Sequence, residues 1–134
     1  MRLWHYKLLS YLPKSQLLAQ WRELNSIFKK QDKHILINYI YEYELLDLYE
    51  YSLMVIKEMN HRGYNLKLDN FFAYFRKVMC CKGRGSYQPF QRHHNTQYLI
   101  QCFYNLQEKY DRGQKDFTRE QYENLEDFIK EELE

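Results

Sequence analysis

An all-α fold is what this sequence predicts, and three observations predict it. Apolar residues recur at helical spacing along most of the chain, and glycines or polar caps bracket those stretches. The 134 residues, 45% of them hydrophobic, suit one compact domain over residues 1–134 with about five helices. Proline occurs only at Pro13 and Pro89, and no repeat or low-complexity segment interrupts the pattern.

The first predicted helix opens near Ser15, after Pro13, and sets Leu17, Trp21, Leu24 and Phe28 on one stripe. Glu23 falls on the side away from that stripe. Residues 34–43 (HILINYIYEY) are rich in β-branched and aromatic side chains yet run straight into a helical pattern, so extended and helical readings both stand. A second helix places Leu45, Tyr49, Leu53 and Ile56 on one face and stops at Arg62-Gly63, where glycine can take the left-handed conformation. A short third helix starts at Asp69, a candidate cap, and carries Phe72, Phe75 and Met79. Residues 81–94 have no apolar period and read as a loop. Leu99, Cys102, Phe103, Leu106 and Tyr110 then form a fourth stripe ending before Gly113. Thr118 and Gln121 make a capping box for a last helix through Leu133.

Composition narrows the function. No apolar run approaches the ~20 residues needed to span a bilayer, and the start lacks a signal-peptide h-region, so a cytoplasmic protein with no membrane partner is expected. Cys80, Cys81 and Cys102 are an odd set of thiols, expected to be free. Adjacent cysteines and adjacent histidines (His93, His94) miss the usual zinc spacings, and no metal or other cofactor is expected. The formal net charge is only +2, but its distribution is uneven. Residues 66–100 hold six Lys/Arg against the single acid Asp69, whereas residues 101–134 hold five against ten acids. That imbalance points to a phosphate-gripping loop, with Lys82, Arg84 and Arg92 supplying charge, His94 at its end, and Gly83 and Gly85 letting backbone amides approach. Tyr39, Tyr41, Tyr43, Tyr49 and Tyr51 could stack on bases, although core packing explains most of them.

Two segments carry a family resemblance. Residues 17–28 read LLAQWRELNSIF and residues 58–65 read EMNHRGYN. They are similar to the L-x-A-x-x-R-E-L and E-x-x-x-R-G-[YF]-N motifs of the pyrimidine-dimer DNA glycosylase family, and the opening MRLWH resembles a small bacterial branch of it. The resemblance implies a DNA repair enzyme acting on damaged double-stranded DNA. In that chemistry a neutral amine at the chain start, here Met1, attacks the sugar C1′, displaces the base and forms an imine open to β-elimination. Glu23 would be the carboxylate that stabilises positive charge on the sugar and moves its proton, and Arg22 would hold the phosphate backbone nearby. Positive charge on Arg2 and Arg22 would disfavour the protonated amine. His5, beside the nucleophile, has two readings: a hydrogen-bonding partner for substrate or Glu23, or a partly buried structural histidine. Two non-catalytic alternatives remain at this level, a nucleic-acid-binding protein of the same fold and an interaction protein that docks through its acidic last helix.

Overall fold

The computed structural model describes residues 2–78 and 88–134. It is all-α, with α1 at Lys14–Lys30, α2 at Leu45–His61, α3 at Asp69–Tyr74, α4 at Thr96–Asp111 and α5 at Arg119–Leu133. Two 3-10 helices, Tyr6–Tyr11 and Asn38–Glu42, complete the elements among the described residues. The undecided stretch at 34–43 is therefore neither a strand nor the start of α2. It is a turn followed by a 3-10 helix, pinned by Ile37 and Ile40, which are buried. No helix among the described residues is long and apolar enough to cross a membrane.

Helix α1 follows Pro13 and ends where Gln31 turns left-handed at φ 49°, its N–H bonded to Ile27 O. Leu17, Leu24 and Ile27 are fully buried, and so is Gln20. Gln20 and Ile27 swing the buried face around the helix from the predicted stripe, which brings Glu23 to roughly 90° from its centre. Glu23 thus borders packed structure instead of facing away from it. Helix α2 shows a similar shift: its deepest residues are Leu48, Tyr51, Ser52, Val55 and Met59, while Leu45 is exposed. Here the expected Leu45 to Ile56 stripe marks only the flank of a wider buried face.

Gly63 ends α2 at φ 89°, with Gly63 N–H on Asn60 O and Tyr64 N–H on Met59 O, the paired bonds of a Schellman motif. Gly113 at φ 85° ends α4 in the same manner. In α3 the buried side chain is Phe71, followed by Phe75 just past the helix, whereas Phe72 is exposed. Asp69 is the first helical residue and the cap position is Leu68, with no side-chain cap bond. The expected contribution of Met79 lies outside the described residues. Thr118 and Gln121 do form the capping box of α5.

Helix α1 packs against α2 and α3, and α5 packs against α4 and the first 3-10 helix. Ring contacts knit these together: Phe28 meets Phe71 and Phe75 edge-on, and Tyr110 stacks on Tyr122 at 4.2 Å. Between these layers the extended residues before Tyr6 are enclosed, with Leu3 fully buried.

Candidate active site

Four of the six backbone hydrogen-bonding groups from Arg2 to Trp4 have a side-chain partner. Arg2 N–H lies 3.4 Å from Glu23 Oε2. Leu3 O accepts from Tyr98 Oη at 2.6 Å. Trp4 N–H donates to Gln20 Oε1 at 2.9 Å, and Trp4 O accepts from Tyr51 Oη at 2.6 Å. Gln20 also spans the gap to the carboxylate, its Nε2 3.3 Å from Glu23 Oε2. Helices α1, α2 and α4 thereby grip the same short segment. Arg62 adds a clasp behind it: paired with Glu58 at 2.8 Å, its guanidinium also reaches the carbonyls of Leu9 and Ser10. The EMNHRGYN segment thus ties the end of α2 to the first 3-10 helix.

A cleft of about 240 Å³ opens beside this anchorage, lined by Arg2, Trp4, Glu23, Leu36, Asn105 and Lys109 among others. Burial raises the Glu23 carboxyl above its usual range. The Arg2 N–H and the charges of Arg22 and His34 oppose that shift without cancelling it. Proton affinity is thereby heightened. The Arg2 guanidinium lies about 6 Å from the Trp4 and Tyr98 ring centroids, at 5.9 and 6.0 Å. Two aromatic faces therefore hold a cation at the cleft wall.

Not all the expected site residues meet here. Arg22 is exposed and lines a neighbouring groove of about 580 Å³, together with Trp21, Lys29, Lys30 and Lys67. Ser26, in the same groove, is hydrogen-bonded to Asp32. Arg92, His5 and His94 line a third surface depression. Arg92 is exposed, its guanidinium 5.1 Å from the Tyr43 ring centroid.

His5 is only 2% exposed, and both ring nitrogens are engaged inside the protein. Nδ1 accepts from Lys7 N–H at 3.1 Å, capping the first 3-10 helix, and Nε2 meets His94 O at 2.9 Å. Burial holds its pKa down at about 4. His94 is buried too, with Nε2 2.6 Å from Tyr39 Oη and a pKa lowered by burial to about 3. Both histidines are neutral near pH 7, and their geometry is that of supports for residues 2–5. Met1, Lys82, Arg84, Cys80 and Cys81 lie outside the described residues. Cys102 is a buried free thiol.

The sequence reading missed Gln20, Tyr51 and Tyr98, which build the anchorage. Gln20 left a trace: it is a polar residue set between Leu17 and Leu24 on an otherwise apolar face. Tyr51 was counted as core, and its ring is, but its hydroxyl is part of the site.

The family model described as pyrimidine dimer DNA glycosylase matches residues 1–71, more than half of the chain. The chain belongs to the pyrimidine dimer DNA glycosylase family. No match was found among curated proteins or among solved structures. The matched span covers all of α1 and α2 and so includes Arg2, Gln20, Glu23, Tyr51 and Arg62. This family member draws the remaining supports, His94 and Tyr98, from beyond the match.

Proposed function

We propose that the protein is a DNA glycosylase with AP-lyase activity on damaged pyrimidines, working through an imine formed by the Met1 amine, with residues 1–134 acting as one unit. The observation that carries this reading is the seating of Arg2 against Glu23, in a segment whose neighbours are bonded to three helices. The Arg2 N–H held by Glu23 is the described backbone donor nearest in sequence to that amine, and holding a nucleophile near its target is worth orders of magnitude in rate.

In this reading the neutral amine attacks C1′ of the damaged nucleotide, and the C1′–N bond to the base breaks with the base leaving. Glu23 stabilises the cationic sugar, takes the proton that the attacking amine loses and returns it to O4′ as the C1′–O4′ bond opens to give the imine. β-Elimination then removes a C2′ proton, forms the C2′=C3′ double bond and breaks the C3′–O bond, releasing the 3′ phosphate as leaving group. Arg2 lends charge to the adjacent phosphate, and Arg22, on the next groove, steadies the strand a little further on. Arg92, with Lys82 and Arg84, extends phosphate contacts along the duplex, and the His5 and His94 pair acts through the backbone it holds. The cytoplasm is the compartment this assigns.

Borohydride trapping tests it. Untagged protein is incubated with duplexes bearing either an abasic site or a cyclobutane pyrimidine dimer, then reduced. A covalent protein-DNA adduct lost on acylation of the N-terminal amine is expected on both duplexes. Salt-sensitive DNA binding without any adduct would refute the lyase chemistry and leave a non-catalytic binder of the same fold.

A further inference from the structure

The surface depression that Arg92, His5 and His94 line has a volume of about 470 Å³ and shares no lining residue with the Glu23 cleft. Helix α4 begins in its wall, at Thr96. Asn95 Oδ1 caps the helix by accepting from Tyr98 N–H, and the Thr96 and Gln97 N–H groups have no partner among the described residues. Free amides at the positive end of a helix dipole attract an anion.

A second feature, independent of the helix, points to the same ligand. His94 is only 4% exposed, yet its Nδ1 has no partner among the described residues. Tyr39 Oη holds the other ring nitrogen, Nε2, at 2.6 Å. The rings of His5 and Phe90 each lie 5.3 Å from the imidazole, centroid to centroid. With those sides taken, the Nδ1 edge is the one left to the depression that His94 lines. A neutral imidazole that accepts at Nε2 from Tyr39 carries its proton on Nδ1, and a buried N–H of that kind is costly until an acceptor reaches it.

Charge at the rim fits an anion as well. Arg92 and Lys7 are both exposed there. The Arg92 guanidinium rests over the Tyr43 ring with no ion pair among the described residues, whereas Lys7 Nζ is held by Glu132 at 2.9 Å. We propose that this depression binds a phosphate group, with the Thr96 and Gln97 N–H groups, the Thr96 hydroxyl, His94 Nδ1–H and the Arg92 guanidinium as donors. A tetrahedral oxyanion offers acceptors in several directions at once, which suits donors drawn from a helix end, a ring and a guanidinium. Because His94 O also holds the His5 ring, an occupied site braces residues 2–5 from a side the Glu23 cleft does not reach. A strand backbone and free orthophosphate share this chemistry. The inference extends the phosphate contact assigned to Arg92 and does not depend on the imine.

The test titrates the full isotope-labelled chain with sodium phosphate, against sodium chloride of equal ionic strength, and reads amide and histidine-ring nitrogen resonances. The Thr96 and Gln97 amides and His94 Nδ1 should shift and saturate with phosphate, and chloride should leave them in place. Arg92→Gln should weaken that binding roughly fivefold, as loss of a charge-assisted bond at the surface would, while Glu132→Gln should tighten it roughly twofold by freeing Lys7. Both residues are exposed, so unchanged circular dichroism is expected of the variants. An undamaged duplex that shifts the same amides and competes with phosphate would assign the strand backbone as the source. A duplex that leaves them in place while phosphate binds would assign the free anion. Unsaturated shifts shared with chloride, or binding indifferent to both variants, would overturn the site. So would a His94 Nδ1 that stays put while Thr96 and Gln97 shift, since that describes a bare helix end. An absent borohydride adduct would count against the glycosylase reading alone.

Discussion

The backbone amide of Arg2 and the carboxylate of Glu23 face one another at 3.4 Å, although 21 residues separate them in sequence and Glu23 sits in the middle of α1. The contact is long for a hydrogen bond, so it positions more than it stabilises. Its value lies in bringing the first residues of the chain to a partly buried carboxylate.

Replacing Glu23 by Gln should cut strand cleavage by at least a hundredfold, as expected for loss of a group acting in general acid-base and charge stabilisation, with DNA affinity nearly unchanged. Stability should move in the opposite direction. Because burial raises the folded-state pKa of Glu23, the native state binds more protons than the unfolded chain above the ordinary carboxylate range, and ionisation costs stability as pH rises through that window. The variant should therefore gain relative to the unaltered protein from acid to neutral pH. Parallel urea titrations at pH 4 and pH 7 would show it, and a variant that loses ground on that interval would contradict the assignment.

Gln20→Leu keeps the volume of a buried side chain but leaves Trp4 N–H without its acceptor and Tyr51 Oη with one acceptor fewer. A loss of roughly 1–3 kcal/mol is expected in chemical denaturation, the usual cost of an orphaned buried polar group. Cleavage should fall further than stability predicts, since the segment bearing Arg2 loses a tether. Activity measured well below the unfolding transition, and found unaltered, would argue that the Gln20 bonds do not position the site.

His5 and His94 predict an acid limit. Their folded pKa values, about 4 and about 3, lie below the ordinary imidazole value of about 6.5 because both are buried. The unfolded chain therefore binds protons that the native state refuses as pH falls below about 6.5, and stability declines by up to ~1.4 kcal/mol per pH unit for each histidine until its folded pKa is reached. Unfolding free energies from pH 7 to pH 4.5 should show a slope of about two protons. A flat profile would place one or both rings in contact with solvent.

Gly63→Ala probes the end of α2. A Cβ there would meet nothing within 4 Å, so the penalty is conformational and should be about 1–2 kcal/mol for a left-handed residue. Arg62 and Tyr64 follow the same turn, and a greater loss would mean that the clasp on Leu9 and Ser10 has slipped as well.

How much of this was legible in the sequence divides along the range of the interactions. The stop at Gly63, the capping box at Thr118 and Gln121, and the helical character of α1 depend on neighbours a few residues away, and periodicity and cap chemistry disclose them. The buried face of α1 was misplaced because Gln20 reads as solvent-facing until Trp4 and Tyr51 are known to need it. The same holds for residues 34–43: β-branched side chains argued for extension, but burial of Ile37 and Ile40 and the His34 to Asn38 bonds won. Glu23 could be chosen from its motif. That it would be half-buried, and its proton affinity raised, depended on an N-terminal segment whose path no local pattern records.

The anchorage of residues 2–5 has a consequence for the order of events on the ribosome. Gln20 emerges soon after the segment it holds, but Tyr51 follows later, and His94 and Tyr98 later still. At about 5–20 residues per second, roughly 5 to 20 seconds of synthesis separate the first residues from their last partners. Residues 2–5 thus gain their last two supports only once α4 has emerged, well after the bonds to Gln20 and Tyr51 can form.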